Sequence, residues 1–205
     1  MPTGVAIRDV REQLFAAAER VLLRAGPNAL TSRAVTTEAG CAKGVLHRHF
    51  ADFDVFLAEL VRDRIAGVEA RGTVLRGAAG TGTVVDNLAA ALTDLFGPVA
   101  LGVLGLVTAR DGLRTELRRT TPTGIPLLTE AGTVITAYLA AERGLGRLTA
   151  DSDTETLGLT LIGSGHLLFA GREGDAPAGA DVRRVVGTVL TGVLAGATAQ
   201  PGRAG

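Results

Sequence analysis

The chain has 205 residues, of which 46% are hydrophobic and 20% are charged. This balance suits one or two globular domains and excludes a disordered tail, a collagen-like repeat and a disulfide-stabilised mini-protein. Because 21 basic residues balance 21 acidic ones, a nucleic-acid partner would have to be bound by a local patch. The single cysteine, Cys41, excludes an internal disulfide and a zinc site built from several cysteines.

Two uncharged stretches, residues 95–109 and 185–202, are the candidates for a membrane span. A spanning helix needs about 20 mostly apolar residues, and both stretches are short or diluted by proline, glycine and threonine. No signal peptide is visible before Arg8 and Asp9. We therefore expect a cytoplasmic protein that does not interact with membranes.

The N-terminal third carries helical patterns in quick succession. Apolar residues from Val10 to Leu22 follow one face of a helix that Gly26 and Pro27 close. Thr31 is placed to cap a short helix over 32–39, and a second short helix over 43–50 follows a glycine turn. A longer helix begins after Asp52. Four of the seven aromatic residues lie in this part, which predicts an aromatic core of its own: Phe15, Phe50, Phe53 and Phe56.

The remainder of the chain is also helical in pattern. A break rich in glycine and threonine over 71–83 precedes apolar stripes at helical spacing within 85–96, 125–139, 157–168 and 182–194. The prediction is an all-α protein with an N-terminal three-helix helix-turn-helix domain, 1–65, and a larger C-terminal helical domain, 66–205.

The segment 31–50 has the layout of a helix-turn-helix, in which the second helix enters the major groove of DNA. Leu46 and Phe50 share one face of that helix and would anchor it, while Gly44, Val45 and Arg48 lie opposite. Arginine pairs with guanine and apolar groups touch thymine methyls, so this face suits base reading. Purely structural helix pairs have the same layout, and residues 31–50 carry only two net positive charges, so geometry alone leaves DNA binding open.

The residue string TSRAVTTEAGCAKGVLHRHF over 31–50 resembles the DNA-binding domain of the TetR/AcrR family of bacterial transcriptional repressors, and the resemblance covers about 8–65. It implies a homodimer that binds a palindromic operator and is released by a small molecule bound in the C-terminal domain. Position by position, it implies a set of DNA-contacting residues, of which the two histidines would reach phosphates. These are Thr31, Arg33, Lys43, Gly44, Val45, His47, Arg48 and His49.

The sequence departs from the family pattern at four positions. Ala42 and Val45 replace a frequent serine and threonine, and His47 replaces a tyrosine that contacts phosphate. Phe53 stands where a lysine usually touches the DNA backbone, and it lies between Asp52 and Asp54. The last departure predicts weaker phosphate contacts but leaves the fold unaffected.

For the C-terminal domain the sequence predicts a ligand site and a dimer interface, with no cofactor and no metal. We expect an apolar or amphipathic effector, because aromatic residues are few. The candidate ligand residues are Leu92, Phe96, Leu104, Leu128, Ile135, Tyr138, His166 and Phe169. The candidate dimer contacts come from the last two helices and include a face of small residues: Leu161, Gly165, Thr188, Thr191, Gly192 and Ala195.

The alternative is a small-molecule-binding helical protein or an enzyme in which the helix-turn-helix is structural. The enzyme motifs that we considered are incomplete. The run Gly163-Ser164-Gly165-His166 lacks the outer glycines of a G-x-S-x-G elbow, and neither G-x-G pair extends to a dinucleotide fingerprint. We therefore predict a protein that is not an enzyme.

Overall fold

The computed structural model describes residues 4–170 and 176–195, which form ten α-helices and one 3-10 turn, Pro27–Ala29. In chain order the helices are α1 (Gly4–Ala25), α2 (Ser32–Glu38), α3 (Gly44–His49), α4 (Phe53–Gly77), α5 (Val84–Leu95), α6 (Pro98–Ala109), α7 (Asp111–Leu117), α8 (Leu128–Gly144), α9 (Thr154–Ala170) and α10 (Gly179–Val189). Among these residues, Leu148 and Leu194 form an isolated antiparallel β-bridge. The all-α prediction is confirmed.

None of the helices in the described ranges is by itself long and apolar enough to cross a membrane. Helices α5 and α6 are bent relative to each other, and they have the length and apolar composition of a membrane span only when they are counted together.

The chain divides into two compact units. The first contains Met1–Ala66 and Gly97–Leu127, and the second contains Gly67–Phe96 and Leu128–Gly205. One division between the units falls between Ala66 and Gly67, and the predicted domains 1–65 and 66–205 stay a prediction. The segment 97–127, which the sequence analysis assigned to the C-terminal domain, belongs to the first unit instead.

The first unit has the aromatic core that the sequence predicted. The ring centroids of Phe50 and Phe56 are 5.0 Å apart in an edge-on arrangement, and Phe15 lies 5.6 Å from Phe56. All three rings are buried, together with Leu46. Aromatic pairs at this spacing stabilise a core beyond their buried area, so α1, α3 and α4 are held to one another at this cluster.

Within the same unit α6 packs closely on α1 and the 3-10 turn. An added Cβ at Gly102 would lie 3.5 Å from the Leu22 Cβ atom, and one at Gly105 would lie 3.4 Å from the Pro27 Cγ atom. The small residues of α6 therefore allow its backbone to lie against the helices that precede the helix-turn-helix.

Helix α4 is longer than the sequence predicted, because it continues through the glycine- and threonine-rich stretch to Gly77. Only residues 78–83 form the turn before α5. An added Cβ at Gly72 would lie 2.5 Å from Val134 Cγ2, so glycine at this position allows α4 to approach α8. The glycine content of this stretch predicted a break in the helix. In the structure the helix continues, and Gly72 lies at a contact between two helices.

In the second unit α9 packs on α8 and α10, and α10 packs on α5. The valine face of α10 is turned inward as predicted, with Val182 and Val186 buried. The helix ends at Val189, five residues earlier than predicted. The chain then turns at Gly192, where φ is +84°, and Val193 O accepts a hydrogen bond from Thr149 N at 2.8 Å.

A buried polar cluster closes one end of the second unit. Glu142 is fully buried, and it accepts hydrogen bonds from Tyr138 at 2.5 Å and from the Gly80 amide at 3.2 Å. Arg147 adds an ion pair at 3.2 Å and also donates to the carbonyls of Thr81 and Gly82. Burial, and then the Glu142 hydrogen bond, raise the pKa of Tyr138, so the phenol stays protonated and donates to the carboxylate.

Candidate nucleic-acid interface and cavity

The helix-turn-helix is held by local contacts that the sequence predicted. The Thr31 hydroxyl accepts a hydrogen bond from the Ala34 amide at 3.1 Å, which caps α2. Gly40 has a φ of +66°, a left-handed conformation that glycine adopts without steric cost, and it turns the chain between the two helices. Leu46 and Phe50 are buried, so both predicted anchors hold α3 on the core.

The opposite face of α3 lies at the surface. Lys43, Gly44, His47 and Arg48 are exposed, while Val45 and His49 are half-buried. Thr31 and Arg33, at the start of α2, are exposed as well. The structure therefore brings the eight predicted DNA-contacting residues to the first two turns of α2 and the outer side of α3.

The basic residues of this unit fall into two groups. Most of those away from α3 pair with carboxylates: Arg20 and Arg24 pair with Glu38 at 2.7 and 2.8 Å, and Arg64 pairs with Glu19 at 3.0 Å. Arg62 and Arg118 have no ion pair among the described residues. Arg11 pairs with Glu59 and lies over the Phe50 ring.

By contrast, the positive groups on α2 and α3 have no acidic partner in the described part of the chain. Neither an ion pair nor a side-chain hydrogen bond engages Arg33, Lys43 or Arg48 there. Because an unpaired cation on an exposed helix face has its donors available, these side chains are free to contact an anion such as DNA phosphate. Local charge, and not the net charge of the chain, thus marks this face.

The departures from the family pattern have structural counterparts. No side chain caps the start of α3, in agreement with Ala42 replacing a serine. Asp52 instead caps α4, since its carboxylate accepts from the Val55 amide at 2.8 Å. Phe53 stacks on Phe56 at 5.6 Å and lies beneath Arg110.

Asp54 does not present a free negative charge. Its carboxylate lies 3.5 Å from the Arg110 guanidinium, and an added Cβ at Gly112 would clash with it. Arg110 also lies 3.5 Å from the Leu30 carbonyl. Arg110, at the junction of α6 and α7, therefore contacts both the start of α4 and the end of the 3-10 turn.

Two of the predicted dimer contacts are corrected by the packing of the chain itself. Leu161 is fully buried, and an added Cβ at Gly165 would lie 2.7 Å from the Phe96 ring, so both face the interior of the second unit. Thr188 is exposed on α10. Three further candidates are also exposed but lie beyond the end of the helix, so they do not form the predicted helical face: Thr191, Gly192 and Ala195.

A different face of α9 is uncovered. Leu159 and Leu167 are each 74% exposed, and they lie two helical turns apart with Gly163 between them. The other exposed residues beside them are Thr156, Thr160 and Ala170, with one charged residue, Glu155, at the N-terminal end of the face. A largely apolar face with two exposed leucines is typical of an interaction surface.

The predicted ligand residues are mostly core. Six are buried: Leu92, Phe96, Leu104, Ile135, Tyr138 and Phe169. Leu104 belongs to the first unit and the other seven to the second, so the structure does not bring all eight together. Leu128 and His166 are half-buried, and the His166 ring lies 6.0 Å from Phe96 with its Nδ1 atom unpartnered among the described residues.

A cavity of about 250 Å³ opens elsewhere in the second unit, between α4, α5 and α8. None of the eight predicted residues lines it. Its lining is Arg71, Val74, Leu75, Ala78, Asn87, Ala90, Ala91, Asp94, Leu95 and Val134. The lining residues contributed by α4 were not predicted, because residues 71–78 were interpreted as a break. Their apolar members nevertheless recur at helical spacing.

The Gly163–His166 run lies inside α9. A nucleophile elbow requires a sharp turn from strand to helix, and a continuous helix does not supply one. The geometry thus agrees with the incomplete motif.

These features define an all-helical protein with an exposed helix-turn-helix. Residues 14–60 match the family model described as bacterial regulatory proteins, tetR family. The helix-turn-helix domain of this chain is therefore a tetR-family domain, and the resemblance stated from the sequence is confirmed. No curated protein gives a significant match over the chain.

Solved structures show the same fold over nearly the whole chain. NemR of E. coli in its reduced form has a TM-score of 0.70 at 16% identity and covers 93% of this chain and 100% of its own. The fatty acid degradation regulator FadR from Bacillus halodurans has a TM-score of 0.65 at 16% identity, covering 89% and 98%. A gamma-butyrolactone receptor described as ArpA-like has 0.59 at 19% identity, covering 90% and 97%.

Proposed function

We propose that this protein is a ligand-responsive transcriptional repressor that binds a palindromic operator as a homodimer. The observation that carries the proposal is the contrast in charge within the first unit. Most arginines elsewhere in the unit pair with carboxylates, whereas Arg33, Lys43 and Arg48 are grouped on α2 and α3 and are exposed without an acidic partner among the described residues. A family whose known members regulate transcription through this helix-turn-helix supports the same function.

In this proposal α3 is the recognition helix. Arg48 and Val45 read base edges, Gly44 permits close approach, and Lys43, His47 and His49 contact phosphates on either side. Thr31 and Arg33 contact the backbone from the start of α2. Two copies of α3 read half-sites that are roughly 34–36 Å apart, one helical turn of DNA.

The homodimer forms through the uncovered face of α9 together with α10. Leu159, Gly163 and Leu167 replace Leu161 and Gly165 as the α9 contacts, because the latter pair faces the interior of its own chain. Thr188 remains a proposed contact on α10. A second copy that covers the two leucines removes apolar area from water, and Glu155 at the edge of the face would stay in contact with solvent.

The effector binds in the cavity between α4, α5 and α8. The neighbouring structure called a gamma-butyrolactone receptor supports a small-molecule site in this fold. Helix α4 passes from the first unit to the second, and α5 is followed directly by α6, which packs on α1. A ligand that moves α4 or α5 therefore acts on segments continuous with the DNA-binding helices.

The experiment is selection of bound sequences from a randomised duplex DNA library, followed by fluorescence anisotropy on the enriched sites. We expect a pseudo-palindrome with two half-sites, bound more weakly as salt rises. Arg48→Ala should relax the sequence preference at one position of each half-site, and Arg76→Ala, at an exposed arginine of α4 in the second unit, should leave the preference unchanged. Absence of any enriched sequence would refute the proposal.

A further inference from the structure

The cavity between α4 and α5 has walls formed by one stripe of each helix. On α4 the stripe runs from Arg71 through Leu75 to Ala78, and on α5 it runs from Asn87 through Ala91 to Asp94. Both helices extend away from the same connecting turn, residues 78–83. Arg71 lies about 9 Å from the turn along α4 and Asp94 about 15 Å from it along α5, so both lie toward the end of the cavity far from the turn.

The end near the turn offers no free hydrogen-bond donor. The Asn87 side-chain nitrogen donates to the Thr81 carbonyl at 2.9 Å and to the Tyr138 hydroxyl at 2.9 Å. Beyond Asn87 the walls are Leu75, Ala78 and Ala91. Apart from the Asn87 side-chain oxygen, this part of the cavity is apolar, so it is suited to an aliphatic group.

The far end carries two opposite charges. Arg71 and Asp94 are both exposed, and neither has an ion pair or a side-chain hydrogen bond in the described part of the chain. A guanidinium binds a carboxylate with two parallel hydrogen bonds, and a carboxylate binds an ammonium group. An anion alone would meet repulsion from Asp94, and a cation alone would meet repulsion from Arg71, so a ligand that carries both charges fits this end best.

The volume limits the size of the ligand. Pockets for drug-sized molecules hold roughly 300–1,000 Å³, and this cavity holds about 250 Å³. We propose that the cavity binds a small aliphatic zwitterion, such as an α-amino acid with an unbranched apolar side chain. The head group lies between Arg71 and Asp94, and the aliphatic chain lies toward Asn87. This inference rests on the proposed function, in which the cavity is the effector site.

The test is isothermal titration of the full chain with three probes that share the same butyl group: L-norleucine, hexanoate and pentylamine. Hexanoate lacks the ammonium group and pentylamine lacks the carboxylate. Since a hydrogen bond to a charged group contributes about 1.5–3 kcal/mol, norleucine should bind at least about tenfold more tightly than either.

Substitutions assign each charge. Arg71→Gln should weaken norleucine binding about tenfold without weakening pentylamine, and Asp94→Asn should do the same without weakening hexanoate. Arg76→Gln on α4 and Asp151→Asn are exposed controls outside the cavity and should change nothing. Equal binding of norleucine and a singly charged probe, no binding of any probe, or unchanged norleucine affinity in both variants would overturn the assignment.

The DNA selection experiment separates this inference from the proposed function. If the chain enriches a pseudo-palindrome but norleucine does not bind, the ligand class is wrong and the regulator remains. If norleucine binds as expected and no DNA is enriched, the zwitterion site remains and the proposed regulatory function is wrong.

Discussion

At the scale of single residues, Arg48 and Lys43 differ in where they lie on the recognition helix. Arg48 is opposite the buried Leu46 in the last turn of α3, whereas Lys43 precedes the first residue of the helix. Both are exposed. In the proposed complex the outer face of α3, with Arg48, is turned to the bases, and Lys43 at the helix start lies nearer the phosphates.

We therefore expect different effects from removing the two side chains. Arg48→Ala should relax preference at one base pair by about 1–3 kcal/mol, because a bidentate pair with guanine is lost. Lys43→Ala should weaken all sequences alike and reduce the slope of affinity against salt. Competition binding with point-substituted operators measures both effects, and identical specificity profiles for the two variants would contradict the assignment.

The two histidines of α3 predict phosphate contacts that do not depend on sequence. His47 is exposed and His49 is half-buried on α3. Replacing both by alanine should weaken binding to operator and to random DNA alike, because a phosphate contact carries no base information. Anisotropy titrations with both DNAs measure this, and an unchanged affinity would place the histidines away from the backbone.

Glu38 predicts a pH dependence of stability in the same unit. Hydrogen bonds from Arg20, and then from Arg24, lower the pKa of this carboxyl below its usual value of about 4.5. A lowered folded-state pKa stabilises the fold above the unfolded value, and that contribution is lost as pH falls from about 4.5 through the folded value.

Glu38→Gln should therefore lower the melting temperature modestly near pH 7, since the side chains are at the surface. The difference from wild type should shrink below pH 4.5, in the window where the wild-type carboxyl takes up its proton. Thermal melts at several pH values measure it, and a difference that persists unchanged at pH 3 would contradict the linkage.

At the scale of elements, glycine positions decide how closely helices pack. Gly165 on α9 faces Phe96, and the nearest ring carbon would lie 2.7 Å from an added Cβ. Gly132 on α8 has no atom within 4 Å of an added Cβ. The same substitution should therefore have opposite signs at these two helical positions.

Gly165→Ala should destabilise the protein by about 1–3 kcal/mol, because the added methyl group overpacks a buried contact. Gly132→Ala should stabilise it by about 0.5–1 kcal/mol through helix propensity alone. Urea denaturation of both variants gives the comparison. Equal stability changes would show that α9 does not approach Phe96 as closely as the structure has it.

At the scale of the whole molecule, the uncovered face of α9 predicts the oligomeric state. Light scattering should give twice the chain mass at micromolar concentration. The double change Leu159→Glu and Leu167→Glu should give the mass of one chain, because it would place charges in an apolar interface. Leu23→Glu, at a leucine on α1 that is 54% exposed, is the matched control and should remain a dimer.

Much of the first unit could be predicted from the sequence alone. The cap at Thr31, the turn at Gly40 and the anchors Leu46 and Phe50 are all confirmed. The cap and the turn depend on neighbours a few residues away, and helical period alone places both anchors on one face of α3, so local patterns suffice to find them. The eight DNA-contacting residues stay a prediction, although the structure does place them at the surface.

The second unit depended on packing between distant parts of the chain. Helical period predicted that α9 and α10 form. It did not predict which side of α9 is buried: the structure packs Phe96 against the face of Gly165 and leaves the face of Leu159 exposed. The extension of α4 to Gly77 likewise depends on its approach to Val134. A local pattern predicts that a helix forms, whereas burial depends on residues far away in sequence, so only the tertiary structure decided the cavity and the exposed face.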